Sequence, residues 1–313
     1  MHNHSSQYNE HDKNNKSNKR IVSAIILNFM ICLAEIIGGL LSGSLALLAD
    51  ALHNFSDGMA ILISYLARKI GLRSPDLQMT FGYKRAEILA ALLNSSVIII
   101  ISFSLFREAY FRFKEPSEIT IPLMMVVGVF GFIADLVCVY LLHPEIHQNL
   151  NMRSAYLHLL GDTFSSLGVI VAGIIIYFYH FYLIDPILTV IIALFILVQG
   201  YQVLKQSTLI LMERVPANIK IDDIKKKIES IPQVHNLHHV HVWQIDENKI
   251  LLESHITLKK DMKISEADQI RKKVAEILEN DFHIFHPNLQ LEFDYCNSQE
   301  CEEPYFNKKQ RRV

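Results

Sequence analysis

Asp50–Gly58 reads DALHNFSDG, and Tyr156–Phe164 reads YLHLLGDTF. Each stretch sets an aspartate four positions after a histidine, His53 with Asp57 and His158 with Asp162, inside sequence that is otherwise strongly apolar. Positions i and i+4 share one face of a helix, one turn apart. Each stretch therefore reads as a helix offering two polar groups side by side, and the fold turns on whether those helices lie in water or in lipid.

The surrounding composition answers that. The 313 residues are 50% hydrophobic with a mean hydropathy of +0.22, and runs such as SVIIIISFSLF and ILTVIIALFILV are too apolar for a soluble chain. A bilayer core about 30 Å thick takes roughly 20 mostly apolar residues per helix. Windows of that length fall at Ile21–Leu41, Leu45–Leu66, Ala86–Tyr110, Ile119–Leu142, Met152–Tyr179 and Ile184–Leu204. The first is long, carries Glu35 and lacks a small-residue cleavage site, so it is expected to stay as a span rather than be removed as a signal peptide. The expectation is an all-α membrane domain of six helices.

The formal net charge of −2 says little as a total, but the charges crowd into the N-terminus, the connections and the C-terminal third. Lys13, Lys16, Lys19 and Arg20 precede the first span. Arg68, Lys69, Arg73, Lys84 and Arg85 lie between the second and third, and Arg153 opens the fifth. Basic residues mark the cytoplasmic side, which puts both termini there. The loop between the third and fourth spans dissents mildly, its Arg107, Arg112 and Lys114 being offset by Glu108, Glu115 and Glu118.

From Glu213 onward the pattern changes. VPANIKIDDIKKKIESI reads as an amphipathic helix begun by Pro216 and Asn218, HHVHVWQI and ILLESHITL as strands about the turn Asp246-Glu247-Asn248, ISEADQIRKKVAEILEN as a helix, and LQLEFDY as a strand. That order fits a small cytoplasmic α+β domain of ferredoxin-like layering. The expected organisation is a flexible cytoplasmic N-terminus (1–19), the transmembrane domain (20–212), the ferredoxin-like domain (213–295) and a C-terminal tail (296–313). Arg85 and Glu213 are expected to form an ion pair. Cys32 and Cys138 sit in apolar segments and Cys296 and Cys301 near the end, which is no disulfide framework.

Two helical faces carrying His53, Asp57, His158 and Asp162 would together supply two imidazoles and two carboxylates. That set suits a tetrahedral divalent ion, Zn²⁺ first. One buried His or Asp alone reads equally well as a helix-packing hydrogen bond. A repeat of the same spacing is harder to explain so, because an ionisable group at the centre of a membrane helix costs about 2.5–3.5 kcal/mol to insert. Asn28, Glu35, Asn94 and Asp135 either line a cavity or bond between helices. Asp50, one turn before His53, either orients that ring or serves as an anion near the helix N-terminus.

GSLALLADALHNFSDG, TFGYKRAEILAALLN, NLNMRSAYLHLLGDTFSSLGVI and HHVHVW, in that order, resemble the cation diffusion facilitator family. The resemblance implies a homodimeric secondary transporter, not an enzyme, that exports zinc or a similar divalent ion from the cytoplasm in exchange for protons. It places the transport site on the second and fifth spans, at His53, Asp57, His158 and Asp162. Sites with His and Asp on both helices go in this family with zinc or zinc and cadmium, and imidazole prefers Zn²⁺ over Mg²⁺, Ca²⁺ and Mn²⁺; cadmium, cobalt and nickel stay open. Some members carry a second site of one Asp and two His after the second span, but Met79 and Tyr83 stand here where histidines are needed beside Asp76. Only His143 and His147 lie between the fourth and fifth spans, where many eukaryotic members insert a His-rich stretch, so the resemblance favours a bacterial plasma-membrane protein.

The resemblance also sets cytoplasmic metal ligands near His238, His255 and Glu292. Strand alternation puts His239 and His241 on the face opposite His238. The Cys296–Cys301 pair, His2 and His4 are further donors that could reach such a site, while surface histidines on strands are common without metal. Zn²⁺ is thus expected as cargo and as a cytoplasmic ligand, with no prosthetic group. Metal ligation needs unprotonated side chains, so protons reaching His53 and His158 would compete with metal.

Two rival classes remain. An enzyme using a His–Asp pair for general-base work finds no nucleophile or oxyanion segment here. A membrane metal sensor would share every ligand and differ only in moving no metal. Nucleic acid is not an expected partner, since KKQRRV is a short basic tail.

Overall fold

The computed structural model describes residues 26–143, 150–246 and 249–293. The expected N-terminal segment with His2 and His4, the C-terminal tail with Cys296 and Cys301, and Glu247 and Asn248 of the strand turn lie outside these. By contact the chain divides into two units, one drawn from residues up to Leu66 together with Ala90–Leu204, the other from Ala67–Leu89 and everything from Lys205.

The first unit is helical. α1 spans Ile26–Ser42, α2 Leu45–Gly71, α3 Arg85–Lys114, α4 Ile121–Leu142, α5 Leu150–Tyr179 and α6 Ile184–Leu211. The helices α3, α4, α5 and α6 are each long and apolar enough to cross a membrane. α2 has the length but is diluted by its own polar groups, His53, Asn54 and Asp57. The distribution of side chains is that of a lipid-embedded bundle: Met30, Leu40, Ile100, Phe130, Tyr140 and Phe178 point outward, whereas Glu35, Asp50, Asp135 and Asp185 are at most 1% exposed. In water the preference would be reversed.

α2 is the central element. On one side Leu45 and Ala49 pack with Leu105 and Ala109 of α3 and Ile192 and Ile196 of α6. On the other, Ala46 and Leu47 pack with Met124 of α4 and Val169 and Ile176 of α5. The turn from α1 into α2 is closed by Gly39, where an added Cβ would stand 3.0 Å from the Leu48 backbone nitrogen. Asp185, in the first turn of α6, accepts hydrogen bonds from Ser44 Oγ at 2.6 Å, Leu45 N at 2.9 Å and Ala46 N at 3.2 Å. A carboxylate from another helix thus caps α2, satisfying donors that a helix start leaves open and complementing its dipole.

The second unit holds α7 (Ile221–Glu229), β1 (Val234–Asp246), β2 (Lys249–Leu258), α8 (Ile264–Phe282) and β3 (Ile284–Phe293). The sheet order is β1-β2-β3, with β1 and β2 antiparallel and β2 and β3 parallel. The helices cover the sheet through a core that includes Ile224, Ile228, Leu252, Ile256, Val274 and Leu278. The element order matches the sequence expectation, and three starts differ by three residues or more. α7 begins only at Ile221, because Ile219 N closes a turn onto Pro216 O at 3.0 Å. β1 begins at Val234 rather than His238. β3 begins at Ile284, ahead of Pro287, which a strand at the sheet edge tolerates. The expected Arg85–Glu213 ion pair is formed at 2.9 Å between partly exposed side chains, a geometry worth about 0–1 kcal/mol.

Candidate metal sites

In the helical unit, α2 and α5 bring their paired residues together. His158 Nε2 lies 2.9 Å from Asp57 Oδ2, His53 Nδ1 lies 3.5 Å from the same oxygen, and His53 Nε2 lies 3.4 Å from Asp162 Oδ1. His158 Nε2 and Asp162 Oδ2 are 3.9 Å apart. One donor atom from each of the four falls within 4.8 Å of the others. Bonds of about 2.0–2.2 Å to a tetrahedral ion put its donors roughly 3.3–3.6 Å from one another, so the spacing needs little adjustment to hold one. His53 Nε2 has no hydrogen-bond partner among the described residues despite its approach to Asp162, which leaves a lone pair or proton for an incoming group.

Burial divides the four. His53 and Asp162 are each 3% exposed, while Asp57 and His158 are only partly covered. Asp57 and an edge of His53 line a cavity of about 210 Å³ that runs past Ser64 of α2, Asn94 of α3 and Gln199 of α6 to Val203. The cavity therefore leads toward the end of the bundle where α2 finishes and α3 begins. Gly200 of α6 helps shape it, since a Cβ there would come within 2.9 Å of Ile98. Asn94 lines the cavity as one of its two sequence alternatives required.

Toward the opposite end lies a second polar layer. Asp50 accepts hydrogen bonds from Ser165 at 2.5 Å and Ser166 at 3.2 Å, and Ser166 also lies 2.6 Å from Asp135 Oδ2. Asn54 Nδ2 donates to Glu35 Oε2 at 3.1 Å. Asp50 is thus held by serine hydroxyls of α5. The sequence reading missed Ser165, Ser166 and Asp185. Small hydroxyls in apolar helices are unremarkable individually, and the signal available was only that Ser165 and Ser166 follow Asp162 by one turn.

In the second unit, His238, His239 and His255 bring donor atoms within 4.8 Å. His255 Nδ1 is 2.7 Å and His238 Nε2 3.3 Å from the Glu292 carboxylate, which also accepts from Gln290. His238 and His255 are cross-strand partners. Strand alternation predicted His239 on the other face. It is corrected by a break in register between His238 and His241, where His239 takes φ 48° and swings its ring to 5.1 Å from that of His238. Burial pushes His238 below the ordinary histidine range, with the Glu292 carboxylate opposing; its Nδ1 lies 3.2 Å from Asn236 Oδ1, which leaves Nε2 as the nitrogen open to ligation.

Asp76 has other partners: Tyr83 Oη donates to it at 2.7 Å and the amides of Gln78 and Met79 at 2.8 Å. These bonds hold its carboxyl below the usual range, and the Tyr83 phenol is correspondingly raised. In this loop a tyrosine organises the acidic group.

A bundle with paired metal-type ligands at membrane depth, joined to a small mixed-sheet unit with a second histidine cluster, defines a metal-handling integral membrane protein. Comparison of the sequence gives the family: residues 21–212 match the cation efflux transmembrane domain and residues 216–293 the cation efflux protein cytoplasmic domain. The chain belongs to the cation diffusion facilitator family of efflux transporters, which is not an enzyme class. It is 36% identical over 303 residues to the zinc transporter ZitB of Pectobacterium atrosepticum, covering 96% of this chain and 91% of that one. It is 35% identical over 292 residues to a cadmium, cobalt and zinc/H(+)-K(+) antiporter of Bacillus subtilis, covering 92% and 93%. A metal cation efflux system protein, CzcD, of Cupriavidus metallidurans is 32% identical over 298 residues, covering 95% and 93%.

Proposed function

We propose that this chain exports Zn²⁺, with Cd²⁺ and Co²⁺ as chemically allowed alternatives, from the cytoplasm in exchange for protons. His53, Asp57, His158 and Asp162 are its transport site. The observation that carries the reading is the convergence of those four donor atoms within 4.8 Å on α2 and α5. Two imidazoles and two carboxylates neutralise a divalent ion in a place where an unpaired charge is costly. The relatives' names add zinc, cadmium and cobalt as cargo. Zinc is preferred because imidazole selects it over harder cations.

The cavity at the tetrad extends along α2 to Ser64 and along α3 to Ala91, toward the helix ends that the basic residues mark as cytoplasmic, which supports metal entry from the cytoplasm. Six spans, both termini cytoplasmic, a bacterial plasma membrane, a transport domain over 20–212 and a ferredoxin-like domain over 213–295 complete the topology. The cytoplasmic-domain match, to a family labelled for zinc-transporter dimers, favours a homodimer. His238, His255 and Glu292, with His239 beside them, form a separate cytoplasmic zinc site. A proton and a metal ion cannot share the lone pair of His53 or His158, and an ordinary imidazole titrates near pH 6.5. Protons from outside therefore displace metal, and rocking of the helices about the site alternates access.

The test is zinc flux into proteoliposomes holding a zinc-sensitive dye under an imposed pH gradient. Native protein should give gradient-driven flux, and Asp57→Ala and Asp162→Ala should each reduce it to background. Tight zinc binding by native protein without flux would replace the transporter by a sensor.

A further inference from the structure

We infer that His239 is a metal ligand, the third imidazole of the cytoplasmic site, so that His238, His239, His255 and Glu292 together make a closed four-ligand set. This inference rests on the cytoplasmic zinc site proposed above and adds a ligand to it.

The core decides which face of the sheet these residues share. Leu237, Val240 and Val242 of β1 and Leu252 and Ile256 of β2 belong to the core under the helices. Alternation along β2 therefore turns His255 to the opposite face. A regular β1 would send only every second residue there. His238 pairs with His255 and His241 with Glu253, three steps along β1 against two along β2, so β1 carries one extra residue as a bulge. Leu237 and Val240 both reach the core, and the two residues between them, His238 and His239, are left together on the face of His255. The bend is taken up at His239, whose φ of 48° lies in the left-handed region, one that histidine enters more readily than most side chains.

The three rings form a nearly equilateral triangle. Their centroids are 5.1 Å apart for His238 and His239, 5.0 Å for His239 and His255, and 5.5 Å for His238 and His255. One nitrogen from each lies within 4.8 Å of the other two. The Glu292 carboxylate closes on two of the rings, 2.7 Å from His255 Nδ1 and 3.3 Å from His238 Nε2. His238 Nε2 and Glu292 Oε2 are nevertheless buried without a hydrogen-bond partner among the described residues, and buried polar atoms of that kind call for something to bind them. Three ligands alone would leave a Zn²⁺ ion with an open fourth position, whereas four close a tetrahedral site of the kind that retains its metal. With His239 counted, the set is filled from β1, β2 and β3, and neither His2 and His4 nor Cys296 and Cys301 need supply a donor. Imidazole-rich sets of this sort take Zn²⁺, and Co²⁺ as its spectroscopic substitute. The tetrad on α2 and α5 has two imidazoles and two carboxylates, so the two sites differ in donor set as well as in place.

The experiment uses full-length protein in which Asp57→Ala and Asp162→Ala together silence the tetrad, with His239→Asn or His239→Gly added to that parent. Both replacements accept a left-handed φ while removing the ring, so the bulge is kept and the ligand is lost. Zinc affinity is read by calorimetry against a competing chelator, and the coordination of Co²⁺ by its d–d absorption. Each variant should lose more than about a hundredfold in affinity, beyond the roughly 10–100-fold that follows loss of a group that only orients a ligand, and its Co²⁺ spectrum should depart from that of the parent. The pairs His2→Ala with His4→Ala, and Cys296→Ser with Cys301→Ser, should leave both readouts at the parent's values. Unchanged affinity and an unchanged Co²⁺ spectrum in both His239 variants overturn the inference. So does a smaller loss with the parent's spectrum, which makes His239 a positioning residue, and so does a loss in either terminal pair, which puts the fourth donor there. A parent that binds no zinc would instead sink the cytoplasmic-site reading itself, independently of the His239 variants.

Discussion

Asp185 shows how much a single buried carboxylate does for the site without touching it. Its three hydrogen bonds to Ser44, Leu45 and Ala46 fix the start of the helix that carries His53 and Asp57. Asp185→Ala removes them all and leaves buried amides unsatisfied, so it should destabilise the protein by about 2–3 kcal/mol. Asp185→Asn keeps one acceptor and should be milder. Thermal unfolding in detergent orders the three proteins, and an Asp185→Ala variant as stable as native would remove the capping role. The tetrad was legible in the sequence because a helix repeats its face every four residues. Asp185 was not, since its partners are 139 to 141 residues away and nothing local marks a cap supplied in trans. His239 was misjudged for a related reason: alternation holds only while the strand is regular, and its positive φ of 48° has no signature in HHVHVW.

At the scale of elements, glycines decide how closely helices approach. At Gly39 an alanine Cβ would press on the backbone of Leu48, and backbone cannot step aside as a side-chain tip can. Gly39→Ala should therefore cost about 1–3 kcal/mol by overpacking the α1–α2 turn. Gly161 is the contrast. It lies between His158 and Asp162 in the middle of α5, a Cβ there meets nothing within 4 Å, and Gly161→Ala should stabilise α5 by about 0.5–1 kcal/mol through helix propensity alone. Melting temperatures of both variants moving in the same direction would refute this account. The helices were legible as apolar windows, but α2 runs on to Gly71 and α3 to Lys114, past where the apolar residues stop. Hydropathy measures what lipid tolerates, whereas a helix continues until its backbone bonds are interrupted, here by the turn at Leu72 and bend at Arg73 ahead of Pro75 and by the bend at Glu115 ahead of Pro116.

For the whole molecule, the two histidine clusters should make stability depend on pH and zinc together. Burial lowers His238 in the folded state, while the unfolded chain titrates near pH 6.5. The folded form then binds the proton less readily than the unfolded one. The stability tied to neutral His238 is complete above about pH 6.5 and is lost as pH falls through that value toward the lower folded one. Without metal, acidification from pH 7.5 to 5.5 should lower the unfolding temperature of the native protein more than that of His238→Gln. Zinc binds only the folded arrangement and adds about 2.7 kcal/mol when present at a hundred times its dissociation constant. That gain should also shrink on acidification, because protons compete for the same nitrogens. The clusters separate by variant: His255→Ala should reduce the zinc-induced shift and leave binding at the tetrad intact, whereas Asp57→Ala, on the proposed function, should abolish flux and retain the shift due to the mixed-sheet unit. Differential scanning fluorimetry with zinc or EDTA at both pH values gives the full set, and a zinc shift in His255→Ala equal to that of native protein would leave the tetrad as the sole source of stabilisation.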